Sequence, residues 1–202
     1  KVAPEHVDPK VLELMKKPRH NTFEDFAKKF DAESKKAGKK QYIVPYFISS
    51  HPGSDLKAMI ELAVFLKKHG YKPDQVQDFI PAPHDLATAM YYTGRNPETG
   101  LPMPVAKGMR DRRLQRALLQ FFKPENYFEV REALLKAGRG DLIGSGCDAL
   151  IGTNPPKEAL LARRERSEKD FHEHTHMKDK PKAPKTGYRP QRSQWGRREG
   201  KR

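Results

Sequence analysis

Two apolar segments that each end in a proline-rich polar turn constrain the fold of this chain more than any other feature. The first reads QYIVPYFISSHPG (residues 41–53), the second reads QVQDFIPAPHDL (residues 75–86), and an amphipathic stretch separates them. A strand, helix, strand repeat of this kind builds a parallel sheet, whose ligands bind beyond the carboxyl ends of the strands. The sequence therefore predicts an α/β fold with both polar turns on the ligand-binding side of the sheet.

The strands are predicted from runs of apolar, β-prone residues. Residues 42–48 read as a strand covered on both faces, in which Pro45 requires a bulge or a strand edge because proline donates no ladder hydrogen bond. Residues 76–80 form the second strand. The opening residues KVAPEHV indicate the end of an earlier strand, and we expect a chain that begins at Lys1 in this way to be the C-terminal part of a longer protein.

The helices are predicted from apolar periodicity and from start and stop signals. Between the two strands, Ser54 is expected to cap a helix and Gly70 to end it. The apolar stripe of that helix consists of Leu56, Met59, Ile60, Ala63 and Leu66. Two short helices are expected at residues 11–15 and 23–30.

The region after the second strand is predicted to contain a β-hairpin and a helix pair. Residues 90–93 and 103–106 flank the turn sequence NPETG, which indicates a tight reversal between extended segments. Helical periodicity at 114–121 and 127–137, interrupted by Pro124, indicates an αα-hairpin.

The basic charge of the chain is concentrated at its end. The formal net charge is +14, and residues 155–202, the basic tail, hold 15 Lys and Arg against 7 Asp and Glu. Apart from a charged, helical stretch at 157–169, we expect the tail to be disordered. Such a tail either binds nucleic acid or acidic membranes by releasing counterions, or is a solvated, solubilising extension.

Few residues suit a metal site. Cys147 is the single cysteine, which excludes an internal disulfide and a self-contained cysteine-rich zinc or iron–sulfur site. His172, His174 and His176 would share one side of an extended chain, yet a disordered tail lacks the supporting groups that fix metal ligands, so no metal site is predicted. No apolar run approaches the ~20 residues that span a bilayer, nothing resembles a signal peptide, and a cytoplasmic protein without membrane contact is expected.

Three polar positions follow the predicted strands. Glu5 and His6 follow the first, where an acid and an imidazole serve in proton transfer or ligand binding, although adjacent residues of an extended chain point in opposite directions. The turn SSHPG is either an anion cradle or a capped turn, and Gly53 there supplies backbone freedom. The two prolines of IPAPHDL hold the chain extended, either for a planar ligand such as adenine or as a rigid loop without one.

The phrases KVAPEHVDPKVLELMKKP, QYIVPYFISSHPGSD and VQDFIPAPHDLATAMYYTG, the last followed by NPETG, resemble the C-terminal part of YgiQ-type radical SAM proteins. The likeness covers about residues 1–151 and includes the helix pair, which is similar to that family's uncharacterised C-terminal domain. It implies the last strand–helix units of a partial TIM-type (radical SAM) barrel. The cofactors implied are S-adenosyl-L-methionine (SAM) and a [4Fe-4S] cluster.

The resemblance also implies where cofactors bind. The cluster-binding CxxxCxxC motif is absent, so the cluster ligands are expected outside this chain, in the N-terminal half of the same protein, which is the implied partner. Glu5 aligns with the glutamate of a SAM-binding E-S-G-S segment, although His6 replaces its serine. The implied SAM side of the barrel consists of Ser49, Ser50 and His51, and the implied approach to the adenine consists of Phe79, Ile80 and Pro81. Ser50 stands where the wider superfamily has glycine, so the motif transfers only as a location.

These observations predict three domains: residues 1–108 as barrel with the β-hairpin, 109–154 as a helical accessory domain, and 155–202 as the basic tail. The leading hypothesis is the C-terminal part of a radical SAM enzyme of unknown substrate, inactive by itself. The alternative is a nucleic-acid-binding module in which the arginines of the tail surround Trp195 to grip phosphates and stack on bases, namely Arg189, Arg192, Arg197 and Arg198. A third hypothesis is a non-catalytic scaffold that kept barrel sequences.

Overall fold

The structure, a computed structural model, describes residues 1–179. Within that range three strands alternate with helices in the first half, and helices alone fill the second half. The elements in chain order are β1 Val2–Glu5, α1 Pro9–Leu14, α2 His20–Lys36, β2 Pro45–Ser49, α3 Leu56–Lys68, β3 Gln77–Asp78, α4 Leu86–Thr93, α5 Met109–Leu119, α6 Tyr127–Lys136 and α7 Lys157–Asp179. Two short 3-10 helices lie at Pro124–Asn126 and Gly140–Leu142.

The strands form one parallel sheet in the order β1-β2-β3. The prediction of parallel strands joined by a helix is therefore confirmed. The prediction for the middle strand was shifted, because β2 begins at Pro45 and runs to Ser49. Proline is tolerated at the first residue of a strand, and here the neighbouring carbonyl of Val44 accepts the Val2 N–H at 3.1 Å. Three strands are fewer than a barrel needs, and the partial barrel stays a prediction.

Helix α3 confirms the predicted apolar stripe. Met59, Ile60, Ala63 and Leu66 are each fully buried and face the sheet and α5. The predicted cap was one residue early, because the side chain of Asp55 accepts the Ala58 N–H at 2.8 Å. Ser54 is instead buried in the turn before the helix.

Helices α5 and α6 pack against each other and confirm the αα-hairpin. Their buried residues join those of α3 and the strands in one hydrophobic core. The largest fully buried side chains of the α5–α6 pair are Leu114, Leu118, Leu119 and Leu134. Because α5 also contacts β2 and β3, the helical region is packed directly on the sheet.

The predicted β-hairpin was wrong. Its first arm lies in α4, which Asp85 caps and Gly94 ends in a left-handed conformation with φ of +66°. The reversal itself exists, but its arms meet only at an antiparallel bridge between Arg95 and Pro102. The sequence LATAMYYT contains β-prone residues, yet burial of Ala87 and Met90 on one helical face overrides that preference.

The compact unit of the described chain comprises Lys1–Leu160, and a second unit begins at Leu161. The helix predicted at 157–169 is longer than expected and reaches Asp179. The backbone at His172, His174 and His176 is therefore helical rather than extended. Trp195 and the arginines around it lie outside the described residues, so the nature of that segment stays a prediction. No helix within residues 1–179 combines the length and apolar character needed to cross a membrane.

Candidate functional site at the carboxyl end of the sheet

Non-glycine residues with left-handed backbones lie at or beyond the carboxyl ends of the three strands: Glu5 ends β1, Ser50 directly follows β2, and His84 lies in the loop between β3 and α4. Glu5 has φ of +64°, Ser50 has φ of +61° and His84 has φ of +63°. Such conformations cost about 1–3 kcal/mol each and are found preferentially at active sites and ligand clamps. The fourth such residue within 1–179, Lys16, follows α1 instead. The strain therefore concentrates at the end of the sheet where parallel folds bind ligands.

Ser49 joins β2 to β3 rather than facing outward. Its hydroxyl, fully buried, donates to the carboxylate of Asp78 at the end of β3. The same carboxylate accepts from Arg116 Nη1 of α5 at 3.1 Å. This chain of bonds fixes the relative position of two strand ends and a helix.

Ser50 carries a buried polar atom without a partner. The residue is 1% exposed, and its Oγ has no hydrogen-bond partner in the described part of the chain. Its backbone N–H is satisfied, because Gln115 Oε1 accepts it at 3.0 Å. An unpaired buried hydroxyl costs about 1–3 kcal/mol. The unused hydroxyl is therefore the clearest sign of binding capacity at this end of the sheet.

His51 is a buried, neutral imidazole with a defined tautomer. Its Nδ1 lies 2.7 Å from the Pro52 carbonyl, which only accepts, so Nδ1 carries the proton and Nε2 is the acceptor nitrogen. Burial lowers the pKa of His51, and the bond to Pro52 and the negative charges of Glu5 and Asp85 partly oppose this shift. Its ring meets that of Phe79 edge-on, with centroids 5.3 Å apart.

Glu5 and His6 have different surroundings. The Glu5 carboxylate pairs with Lys17 at 3.1 Å and is partly exposed. His6 is fully buried, accepts the Asp8 N–H at Nδ1 (3.0 Å) and has Nε2 3.3 Å from the Ser54 hydroxyl. Since Nδ1 accepts, Nε2 donates. Burial, the dominant cause, lowers the pKa of His6 to about 4, so the ring is neutral near pH 7.

The turn formed by residues 49–54, the β2 turn, uses most of its own backbone donors. The Gly53 N–H donates to Pro104 at 2.8 Å, and the Ser54 N–H donates to the His51 carbonyl at 2.9 Å. The arrangement matches a capped turn better than an anion cradle. Gly53 has φ of +91°, and a Cβ at this position would lie 2.2 Å from Leu14 Cδ1, so the residue supplies the backbone freedom that its sequence predicts.

The predicted adenine-side residues divide into buried and exposed ones. Phe79 is 4% exposed and contacts His51, whereas the Ile80 side chain is 66% exposed and Pro81 is half-buried. The Phe79 carbonyl already accepts from Arg112 Nη2 at 2.8 Å. The structure thus brings Ser49, His51 and Phe79 together and leaves Ile80 apart.

Sequence reasoning missed the side chains that α5 contributes. Arg112 lies one helical turn before the adjacent residues Gln115 and Arg116 of α5, and all three side chains reach the ends of β2 and β3. One signal was available: Gln115 borders the apolar stripe of Leu114, Ala117 and Leu118, so it lies at the edge of the buried face. Among the side chains that the structure describes, which exclude His20 and residues 170–179, no group of three or more His, Cys, Asp or Glu is arranged to hold a metal ion.

Comparison with known proteins identifies the family. A family model described as "Domain of unknown function (DUF3362)" matches residues 74–200, more than half of the chain. The chain belongs to the DUF3362 family. The DUF3362 region begins just before β3 and includes α5, whereas β1, β2 and the β2 turn precede it.

A comparison with curated proteins finds relatives that are UPF0313 proteins, the YgiQ family. The chain is 57% identical over 154 residues to one from Clostridium botulinum, 51% identical over 163 residues to one from Methanocella arvoryzae, and 50% identical over 151 residues to one from Clostridium perfringens. These alignments cover 76%, 81% and 75% of this chain but only 24%, 27% and 23% of the relatives. The chain thus spans about a quarter of the length of the curated relatives. No solved structure matches it.

Proposed function

We propose that this region is the C-terminal part of a radical SAM enzyme and supplies residues on the SAM and substrate side of a partial barrel. The observation that carries the proposal is the set of left-handed, polar residues at the ends of β1 and β2 and in the loop after β3, together with the unpaired Ser50 hydroxyl. The likeness to YgiQ-type proteins supports it, as do the UPF0313 relatives. The substrate of the enzyme is unknown.

The donor set at the strand ends suits SAM, whereas it does not suit the iron–sulfur cluster. Glu5 carries a carboxylate that matches an ammonium group, and His51 and Phe79 offer ring surfaces to an adenine. Cys147 is exposed and is the single cysteine, while a [4Fe-4S] cluster takes cysteine thiolates as ligands. The cluster ligands would therefore belong to the preceding part of the longer protein, and SAM bound to the cluster would supply the radical chemistry.

The residues of this chain would bind and orient SAM and exclude water. Glu5 would hold the ammonium group in place of its partner Lys17, which keeps the Ala3 carbonyl as an acceptor. Neutral His51 donates through Nδ1 to the backbone, which leaves Nε2 to accept a hydrogen bond from the ligand. Ser50 contributes the hydroxyl that has no partner within the described chain.

The implied partner, the preceding part of the same protein, has a candidate docking side. Within residues 1–179 β1 pairs only with β2. Beside its other edge lies an apolar cavity of about 220 Å³. Its apolar lining includes Val2, Pro4, Phe23 and Phe26. We place the preceding strand and its helix on this side of the sheet.

The test uses the longer protein to which this region is assigned, purified without oxygen. We expect about four irons per chain, as one [4Fe-4S] cluster requires, and 5′-deoxyadenosine formation after SAM and a reductant are added. Glu5→Gln should weaken SAM binding about tenfold or more, the equivalent of one charged hydrogen bond. Glu13→Gln, at an exposed position of α1, is the matched control and should leave binding unchanged.

Absence of a cluster after reconstitution would overturn the proposal. Nucleic-acid binding by the basic tail would then be the favoured function. In that case, deletion of residues 178–202 would abolish RNA binding.

A further inference from the structure

We propose that Gln115 is a positioning residue through which the DUF3362 region sets the shape of the β2 turn. The inference rests on the proposed function only in naming SAM as the ligand that the turn would bind. Its structural part stands on the contacts between α5 and the turn. These contacts join a family domain of unknown function to the candidate site in the part of the chain before it.

Gln115 satisfies two backbone groups of the β2 turn with one side chain. Its Oε1 accepts the Ser50 N–H at 3.0 Å, and its Nε2 donates to the Ser54 carbonyl at 2.9 Å. The orientation of the amide is determined, because the N–H only donates and the carbonyl only accepts. Gln115 is 3% exposed, so water does not compete for either bond. The two anchored residues enclose His51, Pro52 and Gly53.

The position of these bonds coincides with backbone strain. Ser50 adopts a left-handed conformation with φ of +61°, which is unfavourable for a residue with a Cβ. The bond from its N–H to Gln115 holds it in that state. Because His51 follows directly, a change at Ser50 would rotate the imidazole away from Phe79.

Neighbouring residues of α5 hold Gln115 in register. Arg112 donates to the Phe79 carbonyl at 2.8 Å, and Arg116 pairs with Asp78 at 3.1 Å. One face of α5 thus fixes the ends of both β2 and β3. Three side chains of α5 thus restrain the β2 turn and the β3 end together, although the hydroxyl of Ser50 keeps no partner within the described chain.

A second glutamine provides a matched control. Gln120, at the end of α5, is 8% exposed, and its Nε2 donates to the carbonyls of Pro73 and Asp74 at 3.1 and 2.7 Å. It therefore resembles Gln115 in burial and in bonding to backbone, but it contacts the loop that precedes β3. Gln115→Met and Gln120→Met each remove two hydrogen bonds, and only the first removes them from the β2 turn.

The primary test is amide hydrogen exchange of the complete 202-residue chain, which needs neither SAM nor a cluster. Gln115→Met should speed exchange of the Ser50 amide about tenfold relative to Leu62 in α3, the equivalent of one buried hydrogen bond. Gln120→Met should leave that ratio unchanged. Equal ratios in the two variants would overturn the proposal.

Gln115→Glu keeps the oxygen that accepts the Ser50 N–H and loses the N–H that donates to the Ser54 carbonyl, so it tests the two hydrogen bonds separately. This variant also provides the test if Gln115→Met does not fold. The Ser50 amide should stay slow to exchange, while the carbonyl carbon resonance of Ser54 should shift. An unchanged Ser54 resonance would contradict the assignment, because a merely space-filling Gln115 would not act on one carbonyl.

The functional consequence is measured in the longer protein. Gln115→Met should weaken SAM binding about tenfold at unchanged iron content, and Gln120→Met should not. If the exchange result holds and the longer protein binds neither cluster nor SAM, the proposed function fails while the positioning role stands. If SAM binds equally to both variants, Gln115 does not position the site.

Discussion

The two sides of the sheet differ in how they are held. On the β3 side, α5 contributes two arginines and a glutamine whose side chains bond to the strand ends. On the β1 side, the ammonium group of Lys17 lies near Glu5 and the Ala3 carbonyl, beside an apolar cavity. One flank is closed by polar contacts and core packing within this chain. The other presents apolar surface of the kind that another segment covers.

The β2 turn is held from both flanks at once. His6, after β1, donates to the Ser54 hydroxyl, and Gln115 of α5 donates to the Ser54 carbonyl. A single turn is thereby tied to a histidine that changes charge with pH and to a glutamine that does not. This difference makes the contribution of each flank measurable.

The largest expected effect is on the β3 side. Leu118 of α5 is fully buried in the core between α3 and α6. Leu118→Ala should lower the free energy of unfolding by about 2–5 kcal/mol, since it removes buried methyl groups and leaves a cavity. Urea unfolding followed by circular dichroism measures the change. A loss below about 1 kcal/mol, typical of surface positions, would show that this flank is not tightly packed.

A pH effect is expected from the β1 flank. The pKa of His6 falls from 6.5 in the unfolded chain to about 4 in the fold, so the unfolded state binds more protons between these values. The contribution of the neutral imidazole is complete above pH 6.5 and is lost as the pH falls toward 4, in total about 3 kcal/mol.

Urea unfolding between pH 7 and pH 4 measures this loss. His6→Asn keeps an acceptor for the Asp8 N–H but does not titrate, so its stability should fall less over the same range. His84→Asn is the control at an exposed position that also has a left-handed backbone. Parallel pH profiles for the natural chain and His6→Asn would rule out the buried neutral state.

The smallest effect is expected at the open flank. Phe26 is 44% exposed and stacks on Phe30 with ring centroids 6.2 Å apart. Phe26→Ala should cost about 1 kcal/mol in the 202-residue chain, because only about half of the apolar area of the ring is buried there. In the longer protein the same change should cost more, since the preceding segment would cover this ring. Equal costs in the two proteins would place the docking side elsewhere.

Local sequence signals were sufficient to predict most of the helices and the positions at which the strands end. The stripe of α3, the Pro124 break and the polar turns after the apolar runs all depend on neighbouring residues, which is why they could be interpreted without a fold. The exact boundaries of the helices and strands were predicted less accurately. Asp55 rather than Ser54 caps α3, because Ser54 is drawn into the contact with His6. The supposed strand at 90–93 became part of α4 when its apolar face was buried.

In the candidate site, too, the positions could be predicted from the sequence, whereas their partners depend on tertiary packing. Glu5, Ser50 and His51 were identified from their place after apolar strands, a property of the sequence. The partners that decide their chemistry lie far away along the chain: Gln115 is 65 residues from Ser50, and Arg112 is 33 residues from Phe79. No periodicity or motif reports such pairs, because they exist only when α5 packs on the sheet. The sequence by itself determined the elements and the end of the sheet that carries polar residues. Tertiary packing decided which hydroxyl is left without a partner, which histidine stays neutral and which helix holds the turn.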